Sequence, residues 1–553
     1  MRKFLTITLS VLSVLLLSVG LGGCFGSSGP PEEPHVHEFI YWADSEKHYQ
    51  ECRCGEKSEN SAHSFNNGMC VCGYNQDNVF NFKDGVILGY KPEFEPLGRH
   101  LYIPESINGE PVLEIGEHAF SNYLRILTVT FAKDSKVKKV GNFAFNFCDS
   151  MVSLSLPASL TEITGLSFLY KRSLTSITMD ESNPKYHVDG NCVIETATNT
   201  LVFGCNSSVI PNYVTKIGDR AFSESNIKRV EIPESVTEMD YGVFRVCEQL
   251  ESVKFAKNCK ITDIKTETFE ACYMLTDVQI PKGVTHLGQF AFSWCKELKG
   301  VTIPKGLTEI EEWAFNYCQN LTDIKVEDGN PVFHSDKNCI IETATNVLVV
   351  GSASGEIPSY VTEIGREAFN GRPFNKLFIP KNVVKIGYSS FSDCTKMETV
   401  EFEEGTKLEF IDVHAFSDCE SLKEITIPKG VKSIEYGVFS GCRQMEKVVF
   451  PIGVSLDKID GFAFKNCYRL KNFIIHKTVK YIGLNAFKEC REIDMFFYEG
   501  TAEMWNQIEK DASDEKLMET PKCYYAYDKS EVLSDDNTYW HYDKDNSPVI
   551  WEN

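Results

Sequence analysis

A short repeated motif constrains the fold of this chain more than any other sequence feature. Most successive copies are roughly 22–25 residues apart, a spacing found in repeat proteins whose units stack side by side. The consensus is I-P-x-x-V-x-x-I-G-x-x-A-F-x-x-C-x-x-L-x-x-V-x-I, and Val301 to Cys318 is a clear copy. One phenylalanine marks each copy: Phe120, Phe145, Phe168, Phe222, Phe244, Phe269, Phe292, Phe315, Phe369, Phe391, Phe416, Phe439, Phe464 and Phe487.

The motif predicts a solenoid, because one copy is too short to bury its own apolar side while stacked copies share a continuous core. The fold class is a repeat solenoid over residues 103–490, mainly β with short helical turns. Segment Leu298–Ile303 is predicted as a strand with Val301 and Ile303 inward, since side chains alternate along a strand. The Ala-Phe pair is placed on a return limb as a short helical turn, with the marker phenylalanine inside. The glycine of Ile-Gly, as in Gly288, is expected at a tight corner.

Two gaps in the repeat contain the same insertion, at 183–199 and 330–346. Each has a Val/Ile-Ile-Glu segment, a Thr-Ala-Thr-Asn turn and a second apolar segment, a pattern that predicts a β-hairpin. A unit of roughly 147 residues has therefore been duplicated, a repeat with a longer period than the motif. Two alternatives stay open: the hairpins project as paired lobes, or they extend the sheet.

The repeat resembles the BspA-like leucine-rich repeat family of bacterial surface proteins, and residues Ile280 to Cys295 carry the resemblance well. The resemblance implies a secreted or surface-anchored, right-handed solenoid that serves adhesion or protein binding. It also implies that the protein is not an enzyme. It names no partner, because related proteins of one fold bind different ligands.

The N-terminus predicts export and lipid attachment. Residues 1–23 have the features of a signal peptide: Arg2 and Lys3 precede an apolar stretch. The sequence Leu-Gly-Gly-Cys that ends at Cys24 resembles a bacterial lipobox, so Cys24 would carry the lipid. The alternative is an ordinary signal peptide with an incidental cysteine. Residues 24–36 would form a flexible tether, and the protein would lie on the extracellular face of the bacterial cell membrane.

Residues 37–75 form a small Cys/His-rich module with two similar halves. So short a segment buries little apolar surface and needs a cross-link. Four cysteines could bind one structural zinc ion tetrahedrally, with His48 or His63 as substitute ligands; they are Cys52, Cys54, Cys70 and Cys72. Two disulfides are the alternative, because the segment is predicted to be exported.

The two ends of the solenoid need covers. Residues 77–115 are predicted as the N-terminal cap, beginning with a hairpin that turns at Asp84-Gly85. Residues 491–553 depart from the motif and are rich in aromatic residues, which favours a C-terminal cap. A sugar-stacking platform formed by Trp540, Tyr542 and Trp551 is the alternative.

Candidate ligand-binding residues come from the outward position in the middle of each predicted strand. Over the first two-thirds of the solenoid this position is mostly small or polar, whereas the last third includes Phe378, Val449 and Ile474. Exposed apolar residues on a polar face mark binding patches. The alternative is that these side chains contact a neighbouring loop or hairpin.

Ten of the 20 cysteines follow a marker phenylalanine by three residues. We expect them to form a buried column of free thiols that behave as small apolar side chains. Cys192 and Cys205 lie on facing parts of the first insertion and could pair, but Ser352 stands at the second position in the other copy.

The formal net charge of −22 disfavours nucleic acid as a partner. The sequence has none of the common nucleophile, zinc-protease, phosphate-loop or dinucleotide motifs. We therefore expect a non-enzymatic, lipid-anchored surface protein that binds an extracellular protein or glycan. A spacer that displays its terminal modules and a zinc-binding lipoprotein are the alternatives.

Overall fold

The computed structural model describes residues 80–91, 100–451, 453–528, 537–544 and 548–551, together with the backbone of five short strands before them. Those five strands are Phe39–Ala43, Lys47–Cys52, Ser61–Ala62, Phe65–Asn66 and Met69–Cys70. Cys52 and Cys70 end two of these strands, while Cys54 and Cys72 lie outside the described residues. The predicted signal peptide, Cys24 and the predicted tether also lie outside them.

The repeats wind into coils, and each coil contributes a strand to a column of parallel strands that we call the long-strand column. Val301 and Ile303 are buried and Thr302 is exposed, so the predicted alternation is confirmed. The column contains His100–Ile103, Thr128–Phe131, Ser153–Leu156, Ser176–Met179, Arg229–Ile232, Ser252–Phe255, Asp277–Val278, Gly300–Ile303, Asp323–Val326, Lys376–Ile379, Thr399–Phe402, Glu424–Thr426, Lys447–Val449, Phe473–Ile475, Phe496–Tyr498, Lys522–Tyr525 and Thr538–Tyr542.

A second column of two-residue strands lies on another side of the coils, at the V-x-x-I part of the motif, and we call it the short-strand column. In most members the second residue is apolar and buried while the first is exposed or half-buried, as in His286–Leu287. The two-residue members are Glu114–Ile115, Lys139–Val140, Lys216–Ile217, Glu238–Met239, Asp263–Ile264, His286–Leu287, Glu309–Ile310, Glu363–Ile364, Lys385–Ile386, Phe410–Ile411, Ser433–Ile434, Lys458–Ile459, Tyr481–Ile482 and Glu509–Lys510.

The two insertions extend the short-strand column and do not project as separate lobes. In each, three antiparallel strands form, and the third pairs in parallel with the next two-residue strand. Their apolar residues, such as Ile194 and Ile341, are fully buried in the solenoid core. The strands are Tyr186–Asp189, Cys192–Glu195 and Thr200–Gly204 in the first insertion, and Phe333–Asp336, Cys339–Glu342 and Val347–Val350 in the second.

The fourteen marker phenylalanines are all buried, each at most 3% exposed. Within a run of coils their rings stack: for example, Phe416 lies 5.3 Å from Phe391 and 5.7 Å from Phe439 between ring centroids. Offset stacking at this spacing is favourable beyond the area buried. The markers therefore form the internal spine of the solenoid, as the motif predicts.

The return limb around each marker is a series of tight turns in which alternate amides have different partners. The amides of Phe120 and Asn122 donate to carbonyls of the next coil, whereas the intervening amide of Ser121 donates three residues back within its own coil. Residues two before and two after a marker are often left-handed, as Phe143 and Phe147 are at φ 58°. One limb includes a 3-10 helix, Gly165–Phe168.

At the glycine of Ile-Gly, which was predicted at a tight corner, the backbone of the neighbouring coil comes too close for a side chain. A Cβ atom on Gly288 would lie 2.5 Å from the backbone nitrogen of Thr266, and one on Gly483 would lie 2.4 Å from that of Gly461. No side chain fits at such distances without moving the backbone of the neighbouring coil.

The expected cysteine column is present, and all fifteen cysteines whose side chains the structure describes are free. Each of the ten column thiols donates to the carbonyl of the marker phenylalanine one coil earlier: Cys419, for instance, lies 3.2 Å from the oxygen of Phe391. Cysteine therefore fills a small apolar space and also satisfies a buried carbonyl. Burial raises the pKa of the Cys394 thiol to about 12, so the thiols stay protonated.

At the N-terminal end, Phe80–Lys83 and Val86–Tyr90 form an antiparallel hairpin around Asp84 and Gly85, both with positive φ. The second strand of this hairpin begins the short-strand column. Another small hairpin, Ser106–Ile107 with Glu110–Pro111, follows in the chain.

At the C-terminal end, the last strands of the long-strand column are followed by the antiparallel strand Pro548–Ile550. Two short helices, Ala502–Gln507 and Glu515–Glu519, pack Trp505 and Leu517 into the end of the core. Trp540 is fully buried, and its indole nitrogen donates to the carbonyl of Tyr498 at 3.0 Å. This burial favours a cap and removes Trp540 from any sugar-stacking platform.

Candidate binding surface

The three predicted ligand-binding residues lie on the outer face of the long-strand column, but the structure does not bring them together. Phe378 is 51% exposed and lies in register with Glu401 of the next coil. Val449 is in register with Thr426 and is half-buried. Two exposed polar residues, Glu401 and Thr426, therefore separate the two apolar ones.

Ile474 has a different environment from Phe378. It is half-buried and packs against a small apolar cluster that contains Phe497, Cys523 and Trp540. Ile474 therefore partly fits the alternative interpretation, because its side chain contacts the C-terminal segment of the chain. Phe378 is thus the most exposed candidate on this face.

A second apolar feature lies on the return limbs of four consecutive coils, and we call it the aromatic row: Tyr388, His414, Tyr436 and Phe462. Successive rings meet edge to face at centroid distances of 6.2, 5.4 and 5.3 Å. Tyr436 is 37% exposed and the other three are partly exposed. Aromatic side chains held rigidly on a surface supply large contact area at small entropic cost.

Cations flank the aromatic row at both ends. The guanidinium of Arg366 lies 4.4 Å from the ring centroid of Tyr388, and the ammonium of Lys465 lies 4.9 Å from that of Phe462. Both arrangements are cation–π contacts. The row therefore combines aromatic faces and edges with positive charge on a protein that is otherwise acidic.

The aromatic row is not evident in the sequence because its members do not share one repeat position. Tyr388 and Tyr436 precede their marker phenylalanine by three residues, whereas His414 and Phe462 precede theirs by two. The side chains nevertheless converge, because the limb residues take alternating backbone conformations. Aligning the coils and scoring both positions would have found the row.

The histidines that recur in the two insertions are parts of a structural brace. The Nε2 atom of His187 lies 2.8 Å from the Tyr213 hydroxyl, which donates to Asp189, and its Nδ1 atom lies 2.9 Å from the Thr196 hydroxyl. The second insertion repeats this with His334. Burial and the hydrogen bond to Asp189 raise the pKa of Tyr213 to about 12. These contacts hold the hairpin to the next coil.

One group of side chains among the described residues has the composition of a metal site: His286, Glu309 and Glu311 each offer a ligand atom within 4.8 Å of the others. The Nε2 atom of His286 already lies 2.9 Å from Glu311, and the group is on the surface. It supports no cofactor. The prediction of zinc or disulfides in residues 37–75 stays a prediction.

No helix within the described residues is long and apolar enough to cross a membrane.

The stacked coils and the rows on their outer faces define a repeat solenoid of the leucine-rich class. The chain belongs to the BspA-type leucine-rich repeat family. The model described as "BspA type Leucine rich repeat region (6 copies)" matches residues 101–214, 200–322, 262–339 and 362–494, which together exceed half of the chain. No curated protein matches the chain.

Several solved structures are similar. A leucine-rich cell surface protein from Faecalibacterium prausnitzii is 21% identical, with a TM-score of 0.46, over 86% of this chain and 98% of that one. A leucine-rich repeat protein from Eubacterium ventriosum is 18% identical, with a TM-score of 0.38, over 82% of this chain and 95% of that one. The pneumococcal vaccine antigen PcpA is 15% identical, with a TM-score of 0.38, over 91% and 98%.

Proposed function

We propose that this chain is a lipid-anchored bacterial surface protein whose solenoid binds an extracellular protein. Cys24 would hold the protein to the membrane, and the tether would carry the solenoid away from it. The observation that carries the proposal is the aromatic row, a line of partly exposed rings fixed across four coils.

The rigidity of the frame supports binding. Each return limb is hydrogen-bonded to its neighbours and packed on the phenylalanine spine, so the row has little conformational freedom to lose when a partner docks. The net charge of −22 would attract a partner with net positive charge towards the solenoid.

Substitutions on two surfaces test where binding occurs. The chain from residue 25 onward would be immobilised and exposed to surface proteins and glycans from neighbouring bacteria and host cells. We expect a protein ligand that is lost with Tyr436→Ala and Phe462→Ala, and retained with Tyr241→Ala. Tyr241 is a suitable control because it is 55% exposed and lies outside the row.

The same experiment tests the outer face of the long-strand column with a second pair of variants. Phe378→Asp would abolish capture if the outer strand face binds, while Thr302→Asp, at the same strand position of an earlier coil, serves as its control. A glycan captured in place of a protein would contradict the partner class. Capture that survives Tyr436→Ala, Phe462→Ala and Phe378→Asp would favour a spacer that displays its terminal modules.

A further inference from the structure

Each insertion repeats the architecture of the hairpin at the N-terminal end. In all three places an antiparallel hairpin ends in a strand that pairs in parallel with the next two-residue strand. All three hairpins also contain one bulged residue on the second strand, directly after a fully buried apolar residue. The bulged residues are Leu88, Val202 and Val349. Because a bulge fixes strand register, its recurrence indicates one structural unit used three times.

The first of these hairpins is the start of the solenoid. It begins the short-strand column, and it packs Phe80 and Ile87 into the N-terminal end of the core. Repeat proteins need such a cover where no further coil follows. Each insertion therefore places the beginning of a solenoid inside the chain.

The insertion strands separate the apolar residues on their two sides. In the middle strand of the first insertion, Val193 packs with the preceding coils, whereas Cys192 and Ile194 pack with the following ones. The second insertion repeats the alternation: Ile340 packs with the preceding coils and Ile341 with the following ones. The core is thereby divided into three large clusters, which span residues 80–205, 192–350 and 339–517.

The phenylalanine spine is interrupted at the first insertion. Phe203 stacks on the marker Phe168 at 4.9 Å, and Phe222 begins a new stack with Phe244 at 5.3 Å. Among the described residues, no ring contact joins Phe203 to Phe222. The favourable interaction between successive rings is therefore missing at this point.

The spine is interrupted more widely at the second insertion. Val350 stands at the position equivalent to Phe203, 147 residues later. A cavity of about 210 Å³ lies beside it, and Phe315 also lines this cavity. The stack that ends at Phe315 resumes only at Phe369, which stacks on Phe391 at 5.2 Å.

The hydrogen bonds between return limbs also change at the insertions. In ordinary coils the amide of a marker donates to the carbonyl just before the next marker, as the amide of Phe292 does at 2.8 Å. At the first insertion the carbonyl of Ala221 instead accepts from Gly204 of the insertion at 3.0 Å. At the second, the carbonyl of Ala368 accepts from Gly351 at 2.7 Å. These bonds join the insertion to the coil that follows it.

The sheet formed by the long strands stops at each insertion. It ends at Ser176–Met179 and restarts at Arg229–Ile232. It ends again at Asp323–Val326 and restarts at Lys376–Ile379.

One other interruption of this sheet lacks the accompanying changes. The sheet restarts at Phe473–Ile475, but there the spine continues from Phe439 to Phe464 at 5.5 Å and the apolar core is continuous. Only at the two insertions do the spine, the limb hydrogen bonds and the long-strand sheet change together.

We propose that the insertions are internal N-terminal caps, and that they divide the solenoid into three units that unfold separately. The units comprise residues 80–182, 183–329 and 330–551. Each coil of a repeat protein is stabilised by its interfaces with the neighbouring coils, so weaker interfaces at the caps allow one unit to open while the next stays folded.

The division has a consequence for the aromatic row. The row extends from Tyr388 to Phe462 and lies wholly in the third unit, so it should survive unfolding of the first two. The three units themselves do not depend on the proposed partner or on lipid at Cys24.

Pulsed labelling of thiols in the full chain at increasing urea concentration tests the proposal. A buried column thiol reacts only when its coil opens, and mass spectrometry of the digested chain reports each cysteine separately. Cys247 and Cys394 are suitable reporters because both are fully buried, one in the second unit and one in the third.

Phe315→Ala separates an effect of the caps from an effect of distance. Cys247 lies three markers before Phe315 in the same unit, whereas Cys394 lies only two markers after it, beyond the second cap. We expect the urea midpoint for Cys247 to fall by about 1–2 M and that for Cys394 to stay unchanged. Phe315→Leu is a milder second variant and should give the same pattern with a smaller shift.

Phe391→Ala is the matched variant on the other side of the cap. It should lower the urea midpoint for Cys467, three markers later, and leave unchanged that for Cys318, two markers earlier. The two substitutions should therefore affect complementary sets of thiols.

Two results would overturn the proposal. If Phe315→Ala shifts Cys394 as far as Cys247, the insertion couples its neighbours as an ordinary coil does and is not a cap. If Phe315→Ala shifts Cys318 alone and leaves Cys247 unchanged, the unit that unfolds is smaller than the stretch between two caps.

Discussion

The ammonium nitrogen of Lys171 lies 2.8 Å from the carbonyl oxygen of Ser223, at the position of the core that a cysteine thiol fills in ten other coils. Lys171 is 1% exposed, and burial lowers its pKa to about 8. A cation therefore replaces a thiol beside the first insertion, as Arg372 does beside the second. Neither was singled out in the sequence, although both follow a marker phenylalanine by three residues.

Lys171 should make stability depend on pH in a specific direction. Below about pH 8 the lysine is charged in both the folded and unfolded states, and the folded state bears the cost of burying the charge. Between pH 8 and the unfolded value of 10.5, the folded state releases its proton first and this cost declines. The free energy of unfolding of wild type should therefore rise relative to Lys171→Met across this window.

Urea unfolding at several pH values measures this difference. Lys254→Met is the control, because the Lys254 side chain is 73% exposed, and its curve should parallel that of wild type. If the free energies of unfolding of Lys171→Met and wild type changed in parallel with pH, the buried ammonium group of Lys171 would not lose its proton in this pH window.

The column thiols should be unreactive in the folded protein. They are buried, each donates to a backbone carbonyl, and their pKa values are raised, as in Cys318 at about 11. Thiolate is the reactive form. We expect maleimide to label them slowly in the native chain and rapidly in urea, as counted by mass spectrometry. Rapid native labelling of Cys419 or Cys442 would contradict the buried column.

Removal of one ring from the spine should be costly. Phe416→Ala deletes a fully buried ring stacked on both sides and should lower the free energy of unfolding by about 3–5 kcal/mol. Phe410→Ala, only six residues away but 57% exposed, should change it by less than about 0.5 kcal/mol. If the two substitutions lowered the urea midpoint by similar amounts, the stacked phenylalanine rings would not form the internal spine of the solenoid.

Lipid attachment at Cys24 is a prediction about location. The wild-type chain expressed in a bacterium should fractionate with membranes and incorporate labelled fatty acid, because acyl chains bury enough CH₂ groups to retain a soluble domain. Cys24→Ala should lose the label. Cys259→Ala, a cysteine of the solenoid, should keep it. If Cys24→Ala retained the fatty-acid label, the lipid would be attached to another residue and Cys24 would not be the anchor.

The sequence was sufficient for features that repeat at a fixed position. Val301 and Ile303 alternate with Thr302, and the marker phenylalanines recur with a regular period, so both predicted the core correctly. Two-residue strands such as His286–Leu287 were not predicted, because two residues cannot display an alternation. The role of Gly288 depends on how closely the adjacent coil approaches, which is a tertiary property.

The binding surface and the cavity were less predictable for a different reason. The aromatic row alternates between two repeat positions, and the cavity arises from a difference between copies, Phe203 against Val350. The consensus motif describes what the copies share, so it does not show differences between individual copies. The alternation of side chains along a strand correctly predicted that Phe378 is exposed. It could not show that Ile474, at the same strand position, packs against the C-terminal segment.

The hydrogen bonding of the return limbs also restricts how such a chain can change length in evolution. Because alternate amides, such as those of Phe120 and Asn122, are committed to the following coil, removing a few residues from a limb would misalign every donor with its acceptor. Gain or loss of whole coils keeps each donor opposite an acceptor. Length should therefore vary among relatives in steps of one motif, and partial steps should be confined to loops such as the hairpin turns.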